Sequence, residues 1–200
     1  MPRTSPATRE RMLGAAETLL RERGLAGAGI QHVVARSGAP IGSLYHFFPG
    51  GKQQLGEEVI RRSGALYLEL IDAFFVPAPD VATAVGDFFA AAAETLRETD
   101  YADACPIATV ALEVASSSEP LRQATADVFE SWITAAAQQF AGAGIAPTRA
   151  RELAISTLAI LEGAFILSRA TRSTAPVEIA GATAASAVRA ALPGPRSSRR

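Results

Sequence analysis

Two hundred residues, 48% of them hydrophobic, are enough chain to bury a core, which argues against disorder along most of the length. The net charge of −1 conceals an asymmetry: residues 1–63 carry nine Lys+Arg against five Glu, while residues 64–200 carry ten Arg against 15 Asp+Glu, so a polyanionic partner is expected for the head alone. A single cysteine, Cys105, excludes an intrachain disulfide framework and a multi-cysteine zinc site, and it fits a reducing cytosol.

In chain order, the first stretch has no apolar run of signal-peptide length, and no later stretch offers 18 or so consecutive strongly apolar residues. A soluble, cytoplasmic protein is expected. Periodicity is helical nearly throughout, and β-branched runs bounded by turns are missing, so the class expected is all-α with about nine helices. Ser5-Pro6 reads as an N-cap and first helical position. Leu13, Ala16, Leu19 and Leu20 form a stripe, and Gly24 after "RER" reads as a stop, giving a first helix over 6–23. A short helix is expected over Ile30–Ser37, ended by Gly38, and another over 40–47, stopped before Pro49 and two glycines. A long helix follows over Lys52–Phe75 and is broken at "VPAP". Further helices are expected over 79–98, 105–115, 119–141, 147–171 and 176–191. The domains expected are an N-terminal helix-turn-helix head over 1–51, a helical body over 52–192 and a disordered basic tail over 193–200.

Two short helices joined through a glycine have helix-turn-helix spacing, in which the second of the pair enters the major groove of DNA. In "GAPIGSLYHFFPGGK", Leu44 and Phe48 lie four apart and can anchor the third helix, leaving Gly42, Ser43, Tyr45 and His46 to face outward. Tyr45 and His46 offer donors suited to phosphate oxygens, contacts that set register more than sequence choice. Lys52, the only lysine beside 18 arginines, opens the long helix, where the positive end of the dipole already favours an anion.

The run "SGAPIGSLYHFFPGGKQQL" resembles the recognition-helix signature of the TetR family of transcriptional repressors, and particularly the LmrA/YxaF-type subgroup in which "SLYH", "FPGGK" and a later "CP" element occur together. The resemblance is strong over residues 8–60; beyond them it rests on the helix count and "ACPIATVALEVA". It implies a homodimeric operator-binding protein with a three-helix DNA-binding head and a variable ligand-binding body. On that analogy Gln31, Ser43, Tyr45, His46 and Lys52 contact DNA, with Pro40 and Ile41 closest to the bases. Two positions depart from the pattern. Gly29 stands where relatives often carry Thr or Ser, and Ile41 stands where many carry Lys. Ile41 can touch a thymine methyl, or, three residues before Leu44, it can extend the buried stripe.

Other chemistry finds no support. Counting back from Gly51-Lys52 puts His46 where a Walker loop needs its first glycine and Gln53 where it needs Ser or Thr. His32 and His46, the only histidines, lie in no serine elbow and near no ligand cluster, so neither catalysis, a metal nor a cofactor is expected. In the body, Phe74, Phe88, Phe89, Cys105, Phe129, Trp132 and Phe165 are candidates to line an apolar effector pocket, the alternative being ordinary core. "ELAISTLAILEGAFILSRA" is apolar around more than one stripe, and "EIAGATAASAVRAAL" repeats small residues, which suggests a four-helix dimer seam. Leu158, Glu162, Gly163, Ile166, Ala180, Ala184 and Ala187 are its candidates. The partners expected are operator DNA, a small apolar or aromatic effector and a second copy of the chain. Activation in place of repression, or a carrier or enzyme without DNA selection, remain the alternatives.

Overall fold

The computed structural model describes residues 5–102 and 105–194. Among them the secondary structure is entirely helical: α1 (Pro6–Gly27), α2 (Ile30–Ser37), α3 (Ile41–Phe47), α4 (Gly51–Phe75), α5 (Val81–Glu98), α6 (Pro106–Val114), α7 (Glu119–Gly142), α8 (Pro147–Thr171) and α9 (Ala175–Ala191). The all-α expectation is therefore met. Of the tail expected over 193–200, residues 195–200 lie outside the described residues.

The differences from the expected boundaries have local causes. Ser5 gives α1 an extended N-cap backbone, but its hydroxyl caps no amide and instead lies 3.2 Å from Thr8 Oγ1. Gly24 leaves helical geometry as expected, at φ 67° and ψ −173°, yet the chain adds another turn to Gly27. That turn is held from outside, because the Leu25 N–H donates to the Glu113 carboxylate of α6 at 3.2 Å. Gly38 closes α2 in the left-handed region at φ 63°. At the start of α4 the Gln54 side chain reaches back to accept the Gly50 N–H at 2.9 Å, satisfying one donor that the helix leaves over. Asp80 caps α5, accepting the Ala82 and Thr83 amides at 2.9 Å each, and these bonds, that from Thr83 foremost, hold its carboxyl below the usual range.

The chain divides into two compact units, one built from Met1–Leu66 and Ala102–Phe129, the other from Tyr67–Tyr101 and Glu130–Arg200. In the first, α1 packs on α2, α3 and α6. Its core takes Met12, Leu13, Leu19 and Leu20 from α1, Val33 from α2, Leu44 and Phe48 around α3, Leu55, Val59 and Ile60 from α4, and Ile107, Val110 and Val114 from α6. The part of α4 in this unit meets α7 through glycines: a Cβ on Gly56 would lie 3.2 Å from Leu121, and one on Gly64 2.6 Å from Val128.

In the second unit α9 packs between α5 and α8. Phe89, Leu96, Phe140, Leu153, Leu161, Val177 and Val188 fill its core. Gly181 lets α9 close on α5, since a Cβ there would stand 2.6 Å from Phe89 Cβ. By length and composition α8, with a mean hydropathy of 1.6, is the one helix among the described residues long and apolar enough to cross a bilayer, although Glu162 and Arg169 interrupt its apolar run. Its Leu153, Ala154, Leu161 and Ala164 are buried in the core shared with α9.

Candidate nucleic-acid interface

Between α2 and α3 the chain needs only Gly38, Ala39 and Pro40 to turn. Gly38 can take the left-handed conformation without a Cβ penalty, Ala39 is buried at 4% exposure, and the Pro40 carbonyl accepts the Ser43 N–H at 2.9 Å to start α3. Leu44 and Phe48 are both fully buried, so a helix of only seven residues is fixed by its apolar side. The Phe48 N–H closes the last turn on the Leu44 carbonyl at 2.7 Å, and the Arg9 guanidinium lies 5.5 Å over the Phe48 ring.

This anchoring decides what faces out. Pro40, Ile41, Gly42, Tyr45 and His46 are exposed, as are Gln31 on α2 and Lys52 on α4. Ile41 is 52% exposed and does not join the stripe of Leu44. Ser43, expected to face outward, is instead 3% exposed, on the same buried side of α3 as Leu44, while Tyr45 on the other side of Leu44 is 52% exposed. The Tyr45 ring reaches the start of α4, where a Cβ on Gly51 would lie 3.8 Å from its Cε1, and this brings Tyr45 beside the turn that carries Lys52. The stem of Lys52 borders a void of about 10 Å³ lined by Ala16, Leu20, Leu25, Ala28, Leu55, Gly56 and Val59, a space no larger than one water. Gly29 precedes α2 with no side-chain cap, while His32 beside it holds the Gly27 carbonyl through Nδ1 at 3.1 Å.

The electrostatics of this unit were not legible as a net charge. Arg36 forms a two-pronged pair with Glu22 at 2.8 and 3.0 Å, and that hydrogen bonding holds the Glu22 carboxyl below its usual range. Arg9 pairs with Glu58, Arg62 with Glu10, and Arg61 with Asp127 at 3.0 Å. Arg62 also faces Glu17 at 2.9 Å. Burial pushes the Glu17 carboxyl up, against the opposing pull of Arg62, and its Oε1 has no well-aligned hydrogen bond. Four of the nine cations in residues 1–63 are thus committed to carboxylates, whereas Lys52 forms no ion pair among the described residues.

Candidate pocket residues fall in both units. Cys105 caps α6, its sulfur accepting the Ala108 N–H at 3.4 Å, and Phe129 is half-buried; both belong to the first unit. Phe74, Phe88, Phe89, Trp132 and Phe165 belong to the second. There Phe74 and Phe88 meet edge to face at 5.3 Å, Trp132 tilts against Tyr67 at 5.7 Å, Phe89 is core at 1% exposure, and Phe165 packs against the same core. Of the candidate seam residues, Gly163, Ile166 and Ala187 are exposed, Leu158 and Glu162 are half-buried, and Ala180 and Ala184 are buried in the core of their own chain. The exposed faces of α8 and α9 also carry Ile155, Leu167 and Ile179, at 44%, 57% and 67% exposure, which spacing alone did not single out. Among the described residues no group of His, Cys, Asp and Glu is arranged to hold a metal.

Comparison with known proteins places these features in a family context. Residues 12–59 match the family model described as bacterial regulatory proteins, tetR family, and residues 81–183 match that of the transcriptional regulator LmrA/YxaF-like C-terminal domain. The HTH-type transcriptional regulator Rv0196 of Mycobacterium tuberculosis is 37% identical over 176 residues, covering 86% of this chain and 89% of that protein. The HTH-type transcriptional regulator YxaF of Bacillus subtilis is 32% identical over 170 residues, covering 85% and 89%. In fold, the chain is similar to the regulatory protein TetR from Rhodobacter sphaeroides, with a TM-score of 0.80 at 21% identity over 90% of this chain and 98% of that one.

Proposed function

The chain belongs to the TetR family of transcriptional regulators, DNA-binding proteins and not enzymes, and within that family we propose that it is a ligand-responsive repressor, a homodimer that holds a palindromic operator until a small lipophilic or aromatic effector releases it. The observation that carries the DNA-binding part is the outward face of α3 and the start of α4, where Tyr45, His46 and Lys52 are exposed above the buried Leu44 and Phe48. Their hydroxyl, imidazole and ammonium groups suit phosphate oxygens, and contacts of that kind fix the helix in the groove. Gln31, exposed near the start of α2, adds an amide at the same surface.

Support for the dimer comes from the exposed apolar faces of α8 and α9. Ile155, Ile166, Leu167 and Ile179 lie there with Gly163 and Ala187, which permit close helix approach. Two copies related by a two-fold axis would present two α3 helices to major grooves about 34 Å or a multiple of that apart, which is why a palindrome is expected. An effector held among the aromatics of the body, such as the Phe74–Phe88 pair, would favour a conformation whose α3 helices no longer match that spacing, with α4 transmitting the change. Operator affinity then falls by the coupling free energy, about 1–3 kcal/mol in typical cases. The protein would act in the cytoplasm, where the chromosome is.

The test is fluorescence anisotropy of purified protein on palindromic fragments flanking its own gene, against random duplex, over a salt series. Repression predicts salt-sensitive preference for at least one palindrome, binding of one dimer per site, and operator sites overlapping a promoter. Equal affinity for palindromes and random DNA would refute it.

A further inference from the structure

We propose that α3 selects its operator half-site through the C5-methyl group of a thymine, with Ile41 as the reading side chain. This rests on α3 being the helix that enters the major groove and adds to that reading the chemistry of the base it contacts. In a helix-turn-helix the N-terminal residues of the second helix meet the base edges. Here those residues are Pro40, Ile41, Gly42 and Ser43, and they have almost nothing polar to show. Pro40 has neither a backbone N–H nor a polar side chain. Gly42 has no side chain, and a Cβ built on it would meet nothing within 4 Å, so a base edge can come close beside it. Ser43 does have a hydroxyl, but at 3% exposure it is turned into the protein. The first exposed polar side chains, Tyr45 and His46, sit a turn further along, on the phosphate-directed side of the proposal above.

What remains at the base-facing end is Ile41, apolar and 52% exposed. Every base pair offers hydrogen-bonding groups in the major groove, and only thymine adds an apolar one, its methyl. A guanine O6 and N7 set against Ile41 would lose water and gain no partner, which disfavours binding. A thymine methyl against the same side chain removes apolar surface from water on both sides. Ile41 therefore discriminates for an A·T pair at the position it covers, and it does so without a hydrogen bond.

The experiment uses the full-length chain and an operator isolated by repeated selection from random-sequence DNA. Each thymine is replaced by deoxyuridine, which deletes the methyl and leaves the base-pairing groups unchanged, and affinity is read by anisotropy. One symmetry-related pair of positions should lose about fourfold per half-site on this replacement, and about fifteenfold when both half-sites are changed. In Ile41→Ala the same two positions should bind thymine and deoxyuridine equally, with the salt dependence unchanged, while Ile41→Val keeps part of the discrimination. Because Ile41 is exposed, folding of the variants is verified by unaltered thermal unfolding. If the wild-type protein prefers its operator to scrambled DNA yet tolerates complete deoxyuridine replacement, or if the methyl effect survives in Ile41→Ala, the inference fails and the DNA-binding reading stands. If selection enriches no sequence at all, the DNA-binding reading itself fails.

Discussion

Replacing Gly24 with alanine should cost about 2–4 kcal/mol of stability, and the structure divides that cost into two parts. The first is conformational: at φ 67° and ψ −173° the backbone occupies a region used almost only by glycine, and holding an L-residue there costs about 1–3 kcal/mol. The second is a collision. The new Cβ would stand 2.0 Å from Glu113 Oε1, so the carboxylate must swing away and release the Leu25 N–H it accepts at 3.2 Å. That bond is exposed, so its loss is worth about 1 kcal/mol, near the middle for a single hydrogen bond and below that of a buried charged one. Against a typical total of about 5–15 kcal/mol this is a large effect. Urea unfolding at fixed protein concentration, followed by circular dichroism, measures it. Glu113→Ala alone should cost about 1 kcal/mol, and adding Gly24→Ala in that background should cost only the conformational part, a non-additivity that a double-mutant cycle resolves. A Gly24→Ala protein within about 0.5 kcal/mol of wild type, or one fully rescued by Glu113→Ala, would refute the assignment of strain to the backbone.

Lys52→Ala should weaken binding to every DNA sequence alike and lower the salt slope by about one for each subunit engaged; an unchanged slope in salt titrations excludes Lys52 from phosphate contact. Gly181→Ala should destabilise, because the 2.6 Å approach to Phe89 Cβ costs about 1–3 kcal/mol of overpacking and the gain in helix propensity offsets at most about 1 kcal/mol. Gly86→Ala, with nothing within 4 Å of the added Cβ, should instead stabilise by about 0.5–1 kcal/mol, and thermal unfolding of the two variants gives opposite signs. Glu17 has a folded-state carboxyl raised by burial, so the fold binds its proton more tightly than the unfolded chain does. Its contribution to stability is therefore greatest below the ordinary glutamate range and declines as pH rises through and above that range. Glu17→Gln should remove that decline in a pH series of unfolding curves. If two copies pair through the exposed apolar face of α8, Ile166→Glu, which places a charge there, should shift sedimentation to monomers with little change in monomer stability.

Sequence carried the punctuation of this fold well because its signals are local. Gly38, Pro40, the glycines before Lys52 and Pro147 each act within a few residues, and the helices they bound lie close to where spacing put them. The turn after Gly24 was not legible, since the group that stabilises it is a carboxylate 88 positions away. Leu44 and Phe48 were readable as anchors from their four-residue spacing, whereas Ile41 fitted both a buried stripe and an open face until neighbouring elements fixed the rotation of α3. Ser43 shows the opposite case, a polar residue whose burial no periodicity announces. Small residues at Ala180 and Ala184 correctly signal close helix packing, but spacing cannot name the partner, which for these two is the core of their own chain. The pairing of Arg9 with Glu58 and Arg62 with Glu10 similarly joins residues about fifty apart, so the surplus of cations in the head was countable while their availability was not.

The division of the chain into units also bears on where it can be cut and rejoined. The family model for the C-terminal domain spans residues 81–183, yet Ala102–Phe129, in the middle of that span, packs with the N-terminal residues, and two of the three crossings between units fall inside α4 and α7. A head cut after residue 51 and grafted onto an unrelated body would therefore arrive without α6 and without the carboxylate that holds the Leu25 turn. Chimaeras that keep residues 102–129 matched to the head should remain soluble where those joined at the motif boundary precipitate. In this chain two segments far apart in the gene thus share one packed unit, and a graft that separates them removes part of its core.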